Sequence, residues 1–400
     1  TDFFGLYSQM ASAPAIAVGV FSYLFLLRPA EIFIAAPILV LWMMAPAIAW
    51  WLSRPLSSAV ANLTPEQHVF LRKVARKTWA FFETFVTGED HWLPPDNMQE
   101  LPIYVVAHRT SPTNMGLSLL ASLGAYDFGY IQSGELLERT YSTLVTMRAL
   151  DRYRGHLYNL YDTITLKPLK PLYISTVDSG NLGGHLVTLR AGLVALPDER
   201  VISPQVFSGL QDTLEILNDL VGQATIVPEL SKFEDILRVA QAHPPDTITK
   251  MHDCLQQLLN TSTQIVTRVG DTAGSDIKTW ALTLKRQTSA AYTELVLLIP
   301  WTSLPGLDAA AAELPQVDQI PTLRELSAIF VNLQPVMQKM CTPVRSQLEL
   351  KCFSELLTLF SEASRRAKER LGIIEQLVMH ADDLSQMEYD FLYDKGKRLL

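Results

Sequence analysis

Charged residues and cysteines are both scarce in this sequence. Asp, Glu, Lys and Arg together make up 18% of its 400 residues, against about 25% in ordinary soluble proteins. The three cysteines, Cys254, Cys341 and Cys352, form no Cys-x-x-Cys pair. This argues against a disulfide framework or a zinc site and indicates thiols kept in a reducing compartment. No region is markedly basic and the formal net charge is −8, which argues against a general nucleic-acid binder.

Motifs for metal, nucleotide and nucleophilic chemistry are missing as well. The eight histidines include no pair at i, i+4 spacing and no His-Glu-x-x-His motif, so no metal site is predicted. Gly180, Gly183 and Gly184 do not form the Gly-x-Gly-x-x-Gly loop of dinucleotide-binding proteins. Ser111 and Ser179 each precede a predicted helix, so helix N-capping is favoured over a nucleophile.

Two long uncharged runs lie near the start of the chain. Residues 11–27 and 32–51 contain no charged side chain, and each run is close to the roughly 20 residues that a helix needs to cross a membrane. The turn between them, residues 28–31, contains a proline. The sequence therefore predicts a transmembrane helical hairpin in residues 1–60. The alternative is the buried hairpin of a soluble protein.

Basic residues follow the hairpin and set its predicted orientation. They lie at Arg54, Arg72, Lys73, Arg76 and Lys77, whereas the turn inside the hairpin has one arginine and one glutamate. By the positive-inside rule, residues after about 52 are predicted to be cytoplasmic. The four basic residues at 72–77 are interpreted as a solvated helix face in preference to a patch for anionic lipid.

Residues 61–200 alternate helices with polar loops. Thr64 and Gln67 form a capping box around Pro65, and apolar residues at helical spacing, beginning with Leu71 and Val74, predict that this face of the helix is buried. Further helix starts are predicted at Ser111, Ser133, Asp178 and Ser203. Stacked helical hairpins of this kind can close into an (α/α) toroid whose site is built from the loops.

The pattern changes at about residue 201. Long helical runs are predicted at 204–222, 247–268, 276–299, 322–341 and 344–393. The last run carries an apolar stripe with charged residues outside it, which is typical of a long packed or coiled-coil helix. No catalytic constellation is visible there, so this half is predicted to be a helical insertion or bundle that serves as a scaffold.

Side chains suited to binding or catalysis are concentrated in the loops of residues 90–185, which hold four of the eight histidines. Loops rich in aromatic, arginine, asparagine and aspartate side chains are a usual means of holding sugar hydroxyls. Carbohydrate chemistry needs two carboxylates, and the candidates are Asp96, Glu100, Asp162 and Asp178. The competing interpretation of each is a helix cap, a turn residue or a ligand of substrate hydroxyls.

Several longer motifs occur in fixed order along the first half of the chain. They are RKTWAFFE at 76–83, EDHWLPPDN at 89–97, VAHRTSPTNMG at 106–116, RYRGHLYNLYDT at 152–163 and STVDSGNL at 175–182. With these motifs the sequence resembles the central region of the bacterial cyclic β-1,2-glucan synthases. The resemblance runs from the hairpin to about residue 195 and returns at DFLYD, residues 390–394.

The resemblance implies an all-α protein with four parts. These are a transmembrane hairpin (1–60), the first part of an (α/α)6 glycoamylase-like cyclising domain (61–200), a long helical insertion or bundle (201–385) and a return to the cyclising domain (386–400). The implied activity is that of a retaining transglycosylase, which closes linear β-1,2-glucan into a ring. The implied location is the bacterial inner membrane, in a multi-pass protein.

The resemblance also implies partners. They are the β-1,2-glucan chain, the lipid bilayer, and the glucosyltransferase and phosphorylase-like regions of the same polypeptide. UDP-glucose would be the donor for the glucosyltransferase region, outside this chain, and no cofactor is expected in the region considered. Nucleic acid is not an expected partner.

The resemblance places the family's two catalytic glutamates after the FLYD segment, hence beyond Leu400. The chain is therefore expected to be a piece of a larger protein, inactive by itself, and no catalytic residue is assigned. Six loop residues are expected to line the substrate cleft: Asp96, His108, Arg109, Asn114, Asp162 and Asp178. Helix capping is the competing account of Asn114 and Asp178.

Two functions of other classes stay open. The acidic helical segment from residue 201 onward would suit a non-catalytic, membrane-anchored scaffold that binds partners. The two predicted spans would suit a component associated with export.

Overall fold

The computed structural model describes residues 5, 8–53, 63–222, 228–270, 274–304, 314–340, 347–393 and 396. Two compact units divide between Thr64 and Pro65. The predicted all-α class is confirmed, because helices dominate both units. Arg54 and Cys341, which entered the predictions above, lie outside the described residues, as does Asp394 of the FLYD segment.

The first unit is a pair of apolar helices. Helix α1 (Ser12–Leu27) and helix α2 (Ile32–Leu52) pack against each other across a 3-10 turn at Pro29–Glu31, in which Arg28 pairs with Glu31 at 2.9 Å. Within the described residues, the segment Pro29–Leu52 is long and apolar enough to cross a membrane, and α1 is a shorter apolar helix. Two membrane crossings therefore stay a prediction, although the helical hairpin itself is present.

The second unit is built from ten helices in its described part, joined by loops that contain short strand pairs. The helices are α3 (Pro65–Phe85), α4 (Pro112–Asp127), α5 (Ser133–Ala149), α6 (Thr176–Ala195), α7 (Gln205–Val221), α8 (Pro228–Ala242), α9 (Ile248–Val269), α10 (Ser275–Leu298), α11 (Leu323–Met340) and α12 (Gln347–Ser385). The strands are β1 (Met98–Gln99), β2 (Val105–Val106), β3 (Arg109–Thr110), β4 (Arg152–Tyr153), β5 (His156–Leu157) and β6 (Tyr161–Asp162), paired antiparallel as β1–β2, β3–β6 and β4–β5. Helix α8 was not among the predicted runs, and the last predicted run is shorter than expected because α12 ends at Ser385.

Helix α3 begins at Pro65 as predicted, but the prediction of which face is buried was wrong. Leu71 and Val74 are 49% and 45% exposed, whereas Arg76 is 0% exposed. The Nε of Arg76 donates to Thr213 at 2.9 Å, and its Nη1 pairs with Glu83 at 3.0 Å. A buried guanidinium is tolerated when its charge is paired, and that of Arg76 also lies over the rings of Tyr130 and Trp280. The side of α3 that carries Arg76 therefore faces inward.

Two neighbours of Arg76 also point to α7 and not to solvent. Arg72 pairs with Asp212 at 2.8 Å, and Lys73 pairs with Asp219 at 2.7 Å. The interpretation of the basic run as a solvated face was therefore wrong for Arg72, Lys73 and Arg76; Lys77 alone of the four is exposed. The partners lie about 140 residues away in sequence, where a local pattern cannot show them.

The long helix α12 brings the chain back to the first helices. It packs along α6 and α11, and the segment after it lies on the β4–β5 hairpin. There the imidazole of His156 bonds through Nε2 to the carbonyl oxygen of Glu388 at 2.7 Å, and its ring meets Tyr389 and Phe391 edge-on. Gly155 has φ +85°, and a Cβ there would lie 2.4 Å from the Gln386 carbonyl, so this close approach requires glycine.

A buried ion pair joins α5 to α10 and α12. Glu294 of α10 pairs with Arg370 of α12, and it accepts hydrogen bonds from the Ser133 hydroxyl at 2.8 Å and the Gly134 N–H at 3.0 Å. Burial alone would raise the pKa of Glu294, but the Arg370 guanidinium and these donors hold it below its ordinary value. The carboxylate thus accepts hydrogen bonds from the first turn of α5, which is the positive end of the helix dipole.

The buried pair predicts a large loss of stability when one partner is removed. In Arg370→Met, Glu294 stays buried without its cation, and we expect the free energy of unfolding to fall by about 3–5 kcal/mol. The matched control is Arg365→Met on the same helix, where an exposed pair with Glu369 is lost and about 0–1 kcal/mol is expected. Chemical denaturation of the detergent-solubilised protein measures both, and equal losses would contradict the assignment.

Candidate active-site loops

Three loops and two helix starts converge on one surface of the second unit. Strand β3 pairs with β6, so that Arg109 lies directly opposite Asp162. Nδ1 of His91 donates to the Thr163 carbonyl oxygen at 2.9 Å, and the Thr163 N–H donates to the His108 carbonyl oxygen at 3.1 Å. The predicted site residues near 91–114 and 162 are therefore held together by backbone pairing.

Asp96 is the centre of one side-chain cluster. One of its oxygens accepts from the guanidinium of Arg109, at 3.1 Å from Nε and 3.0 Å from Nη2, and the other accepts from the side-chain amide of Asn114 at 3.2 Å. The Arg109 side chain stays half exposed. Because both oxygens of Asp96 are occupied, its role in this arrangement is to orient Arg109 and Asn114 toward the surface.

His108 is supported by a carboxylate that the sequence analysis did not select. Its Nδ1 lies 2.8 Å from Asp90, which is 7% exposed and also accepts from the Thr163 hydroxyl at 2.5 Å. A carboxylate can only accept, so Nδ1 carries the proton and Nε2 is left as an acceptor in the neutral ring. The signal in the sequence was the place of Asp90 in the motif EDHWLPPDN, residues 89–97.

Asp162 shapes a turn. Its Oδ1 accepts from the Thr165 N–H at 2.7 Å, the Thr165 hydroxyl at 2.9 Å and the Ile164 N–H at 3.0 Å. The hydrogen bond from the Thr165 N–H is the largest cause that lowers the pKa of Asp162. A general acid needs a raised pKa, so the turn interpretation, which the sequence left open for this residue, describes its contacts.

Asp178 and Asn114 occupy equivalent places, three residues after a helix cap. The Ser111 hydroxyl caps α4 by accepting from the Asn114 N–H at 3.2 Å, and the Ser175 hydroxyl caps α6 by accepting from the Asp178 N–H at 3.1 Å. Neither Asn114 nor Asp178 is itself the cap, so the prediction that α6 opens at Asp178 was three residues late. The carboxylate of Asp178 instead accepts from Thr113 at 2.6 Å, which ties the two helix starts together.

Ser179 is neither a cap nor an exposed nucleophile. It is 2% exposed, and its hydroxyl lies 2.8 Å from Nδ1 of the buried His156. Since His156 donates through Nε2 to a carbonyl oxygen, its Nδ1 accepts the Ser179 proton. The pair therefore anchors the returning segment after α12 to α6.

Comparison with known proteins identifies a related sequence. Over 184 residues the chain is 41% identical to the cyclic β-(1,2)-glucan synthase NdvB of Rhizobium meliloti (strain 1021). The predicted resemblance to the cyclic β-1,2-glucan synthases is confirmed. The aligned part is 46% of this chain and 6% of NdvB, so the chain corresponds to a small part of that relative.

Two further comparisons add no argument about function. No protein-family model matches the sequence. Among solved structures, a putative glucoamylase from Bacteroides fragilis NCTC 9343 has 17% sequence identity and a TM-score of 0.29, over 42% of this chain and 41% of that one.

Five of the predicted site residues thus fall into three groups, while Asp162 holds its own turn opposite Arg109 and Glu100 is exposed at the loop between β1 and β2. The groups are Asp96 with Arg109 and Asn114, Asp90 with His108 and Thr163, and Asp178 with Thr113. Asp90, Thr113 and Thr163 were not predicted. Within the described ranges, no set of three or more His, Cys, Asp or Glu side chains has the geometry of a metal site.

Asp90 should contribute to stability because it is buried and satisfies two donors. We expect Asp90→Ala to lower the free energy of unfolding by about 1–3 kcal/mol, since the Thr163 hydroxyl loses its acceptor in a buried place. The matched control is Glu89→Ala at the adjacent exposed position, for which a change within about 0.5 kcal/mol is expected. Similar losses in both variants, measured by denaturant titration, would show that Asp90 has no special role.

The contacts of Asp162 predict its titration. Its carboxylate should titrate below the ordinary pKa of an aspartate, because the donors of Thr165 and Ile164 favour the ionised form. Thr165→Val removes one donor and leaves both backbone N–H groups, so the pKa should rise but stay below its ordinary value. Carboxyl carbon NMR of aspartate-labelled protein measures this, with Asp162→Asn to assign the signal; an unchanged, ordinary pKa would refute the turn.

Proposed function

We propose that this chain is part of a membrane-bound cyclic β-1,2-glucan synthase, in which it contributes the membrane anchor and part of the substrate cleft of a retaining transglycosylase. The observation that carries the proposal is the 41% identity to NdvB over 184 residues. The cleft would hold linear β-1,2-glucan, and the hydroxyl at the non-reducing end would replace water at the glycosyl-enzyme so that the ring closes.

The contacts in the loops favour binding over bond cleavage. Retaining chemistry needs a nucleophile and an acid/base, both carboxyl groups. Asp96, Asp162 and Asp178 each accept hydrogen bonds from their own loops or helix starts, which suits residues that shape a cleft. In the proposal the catalytic glutamates follow Leu400, and the surface groups Arg109 and His108 meet the hydroxyls of the glucan.

The hairpin would be the anchor. The side chains of α2 are largely exposed, for example Phe33 at 87% and Ile34 at 81%, as expected of a surface in contact with lipid. In the proposal both helices cross the bacterial inner membrane and residues after about 52 are cytoplasmic. The glucosyltransferase region, with UDP-glucose as donor, and the phosphorylase-like region belong to the same polypeptide.

A scaffold without catalysis is the second candidate. It is favoured by helices α7 to α12, whose described part carries a continuous apolar core, with Leu255, Leu284 and Phe360 fully buried. A scaffold predicts that glucan is neither bound nor converted by the protein that contains this chain. The same measurement therefore separates the two candidates.

The test is cyclisation by the full-length protein. It should convert linear β-1,2-glucan into cyclic product without UDP-glucose, whereas these 400 residues alone should not. We expect Arg109→Ala and Asp178→Ala to lower kcat/KM for cyclisation by roughly 10- to 100-fold, the effect of losing one charge-assisted hydrogen bond to substrate or to its support.

The control is Arg238→Ala, an exposed arginine on α8 that pairs only within its own helix turn. Its kcat/KM should match that of the unaltered protein. Full activity and full glucan affinity in both Arg109→Ala and Asp178→Ala would overturn the cleft assignment. Absence of any cyclisation by the unaltered full-length protein would favour the scaffold.

A further inference from the structure

Helix α3 presents an apolar stripe to the outside of its unit. The outer stripe consists of Phe70, Leu71, Val74, Phe81 and Phe85, which recur at helical spacing along about four turns. Phe70, Leu71 and Val74 are 62%, 49% and 45% exposed, whereas Phe81 and Phe85 are partly buried, with their ring centroids 5.0 Å apart. Contiguous exposed apolar surface of this kind marks a contact with a membrane or another protein.

The helix cannot turn this stripe inward. At 100° per residue, Arg72, Arg76, Trp79 and Glu83 lie on the opposite face. Trp79 is 3% exposed, and Arg76 and Glu83 are paired within the unit. Glu83 also accepts from Arg286 of α10 at 2.6 Å. Rotating α3 would leave these buried charges without partners, at a cost of several kcal/mol each, so the outward orientation is fixed.

We propose that the outer stripe of α3 lies in the interface of a lipid membrane. An interfacial helix has one face of phenylalanine and leucine and basic side chains beside it. Lys77, which is exposed, lies along one edge of the stripe, where lysine can extend toward lipid phosphates.

Covalent connection makes lipid the occupant to expect. Twelve residues separate Leu52, the end of the apolar hairpin, from Pro65, the first residue of α3. Such a segment spans at most about 45 Å when fully extended, so the chain length allows the start of α3 to reach the surface of a bilayer that holds the hairpin. The inference rests on the proposed insertion of the hairpin, and the experiment tests the two separately.

The experiment measures fluorescence quenching by spin-labelled lipid. The full chain, with Cys254, Cys341 and Cys352 replaced by serine, is reconstituted in vesicles of phosphatidylcholine and phosphatidylglycerol. A single cysteine carrying a polarity-sensitive dye is placed by Phe70→Cys or Val74→Cys in the outer stripe. Lipid spin-labelled near the headgroup should reduce the fluorescence at both positions, and the second position serves if the first variant does not fold.

Two controls bracket the result. Val239→Cys, at a 61% exposed apolar position on α8, should keep its fluorescence. The fluorescence of the dye at Phe33→Cys in the hairpin should be quenched by lipid that is spin-labelled deep in its acyl chain.

The outcomes separate the stripe from the anchor. If Phe33→Cys is quenched and neither stripe position is, the stripe does not meet lipid and the inference is overturned. Cross-linking of two Phe70→Cys chains would then identify a second copy as its occupant. If Phe33→Cys is not quenched, the proposed anchor fails and the inference fails with it.

Discussion

Buried charges that must find partners fix how the second unit is assembled. Arg76 is wholly buried and depends on Glu83, and Glu294 depends on Arg370. Each pair lies where the first helices meet the helices after residue 201, and an unpaired member would cost more than the pair contributes. These ion pairs therefore favour one arrangement of α3 and α5 against α7, α10 and α12. Apolar packing alone would permit neighbouring rotations of these helices, since it is not directional.

The same requirement shapes the loops that we propose to bind glucan. Their carboxylates are satisfied by the donors that shape the loops: Asp90 by His108 and Thr163, Asp96 by Arg109. Each acid thereby holds a polar side chain in place, and a group that is already fixed binds a sugar hydroxyl with less loss of conformational entropy than a mobile one. Cleavage of a glycosidic bond needs carboxyl groups that are free to exchange protons or to attack the sugar carbon. A carboxylate whose hydrogen bonds hold its own turn is not free to perform either step.

Helix positions were largely predictable, because proline, serine caps and apolar spacing are local signals. Which face of α3 is buried was not predictable. Periodicity defines two faces without saying which is inside, and the partner of Arg72 lies 140 residues away. The two-residue strands have too little pattern to be recognised, so the pairing of Arg109 with Asp162 was invisible. Helix α8 could have been found from Pro228, Leu230, Phe233 and Leu237. Asp90 could have been chosen from its motif, whereas Thr113 and Thr163 gain importance only through contacts that the fold creates.

The low charge content has a consequence for the surface. A chain with few charged residues that uses several of them to join buried helices has fewer left to solvate its exterior. Helix α3 shows the outcome, because Arg72 and Arg76 point inward whereas the apolar side chains of the stripe, such as Phe70, point outward. In a freely soluble protein this would favour association through the exposed stripe. The same chain carries an apolar hairpin that ends twelve residues before this helix. The proposed contact of the stripe with lipid would supply an apolar partner, and a helix whose arginines face inward would then be compatible with a stable protein.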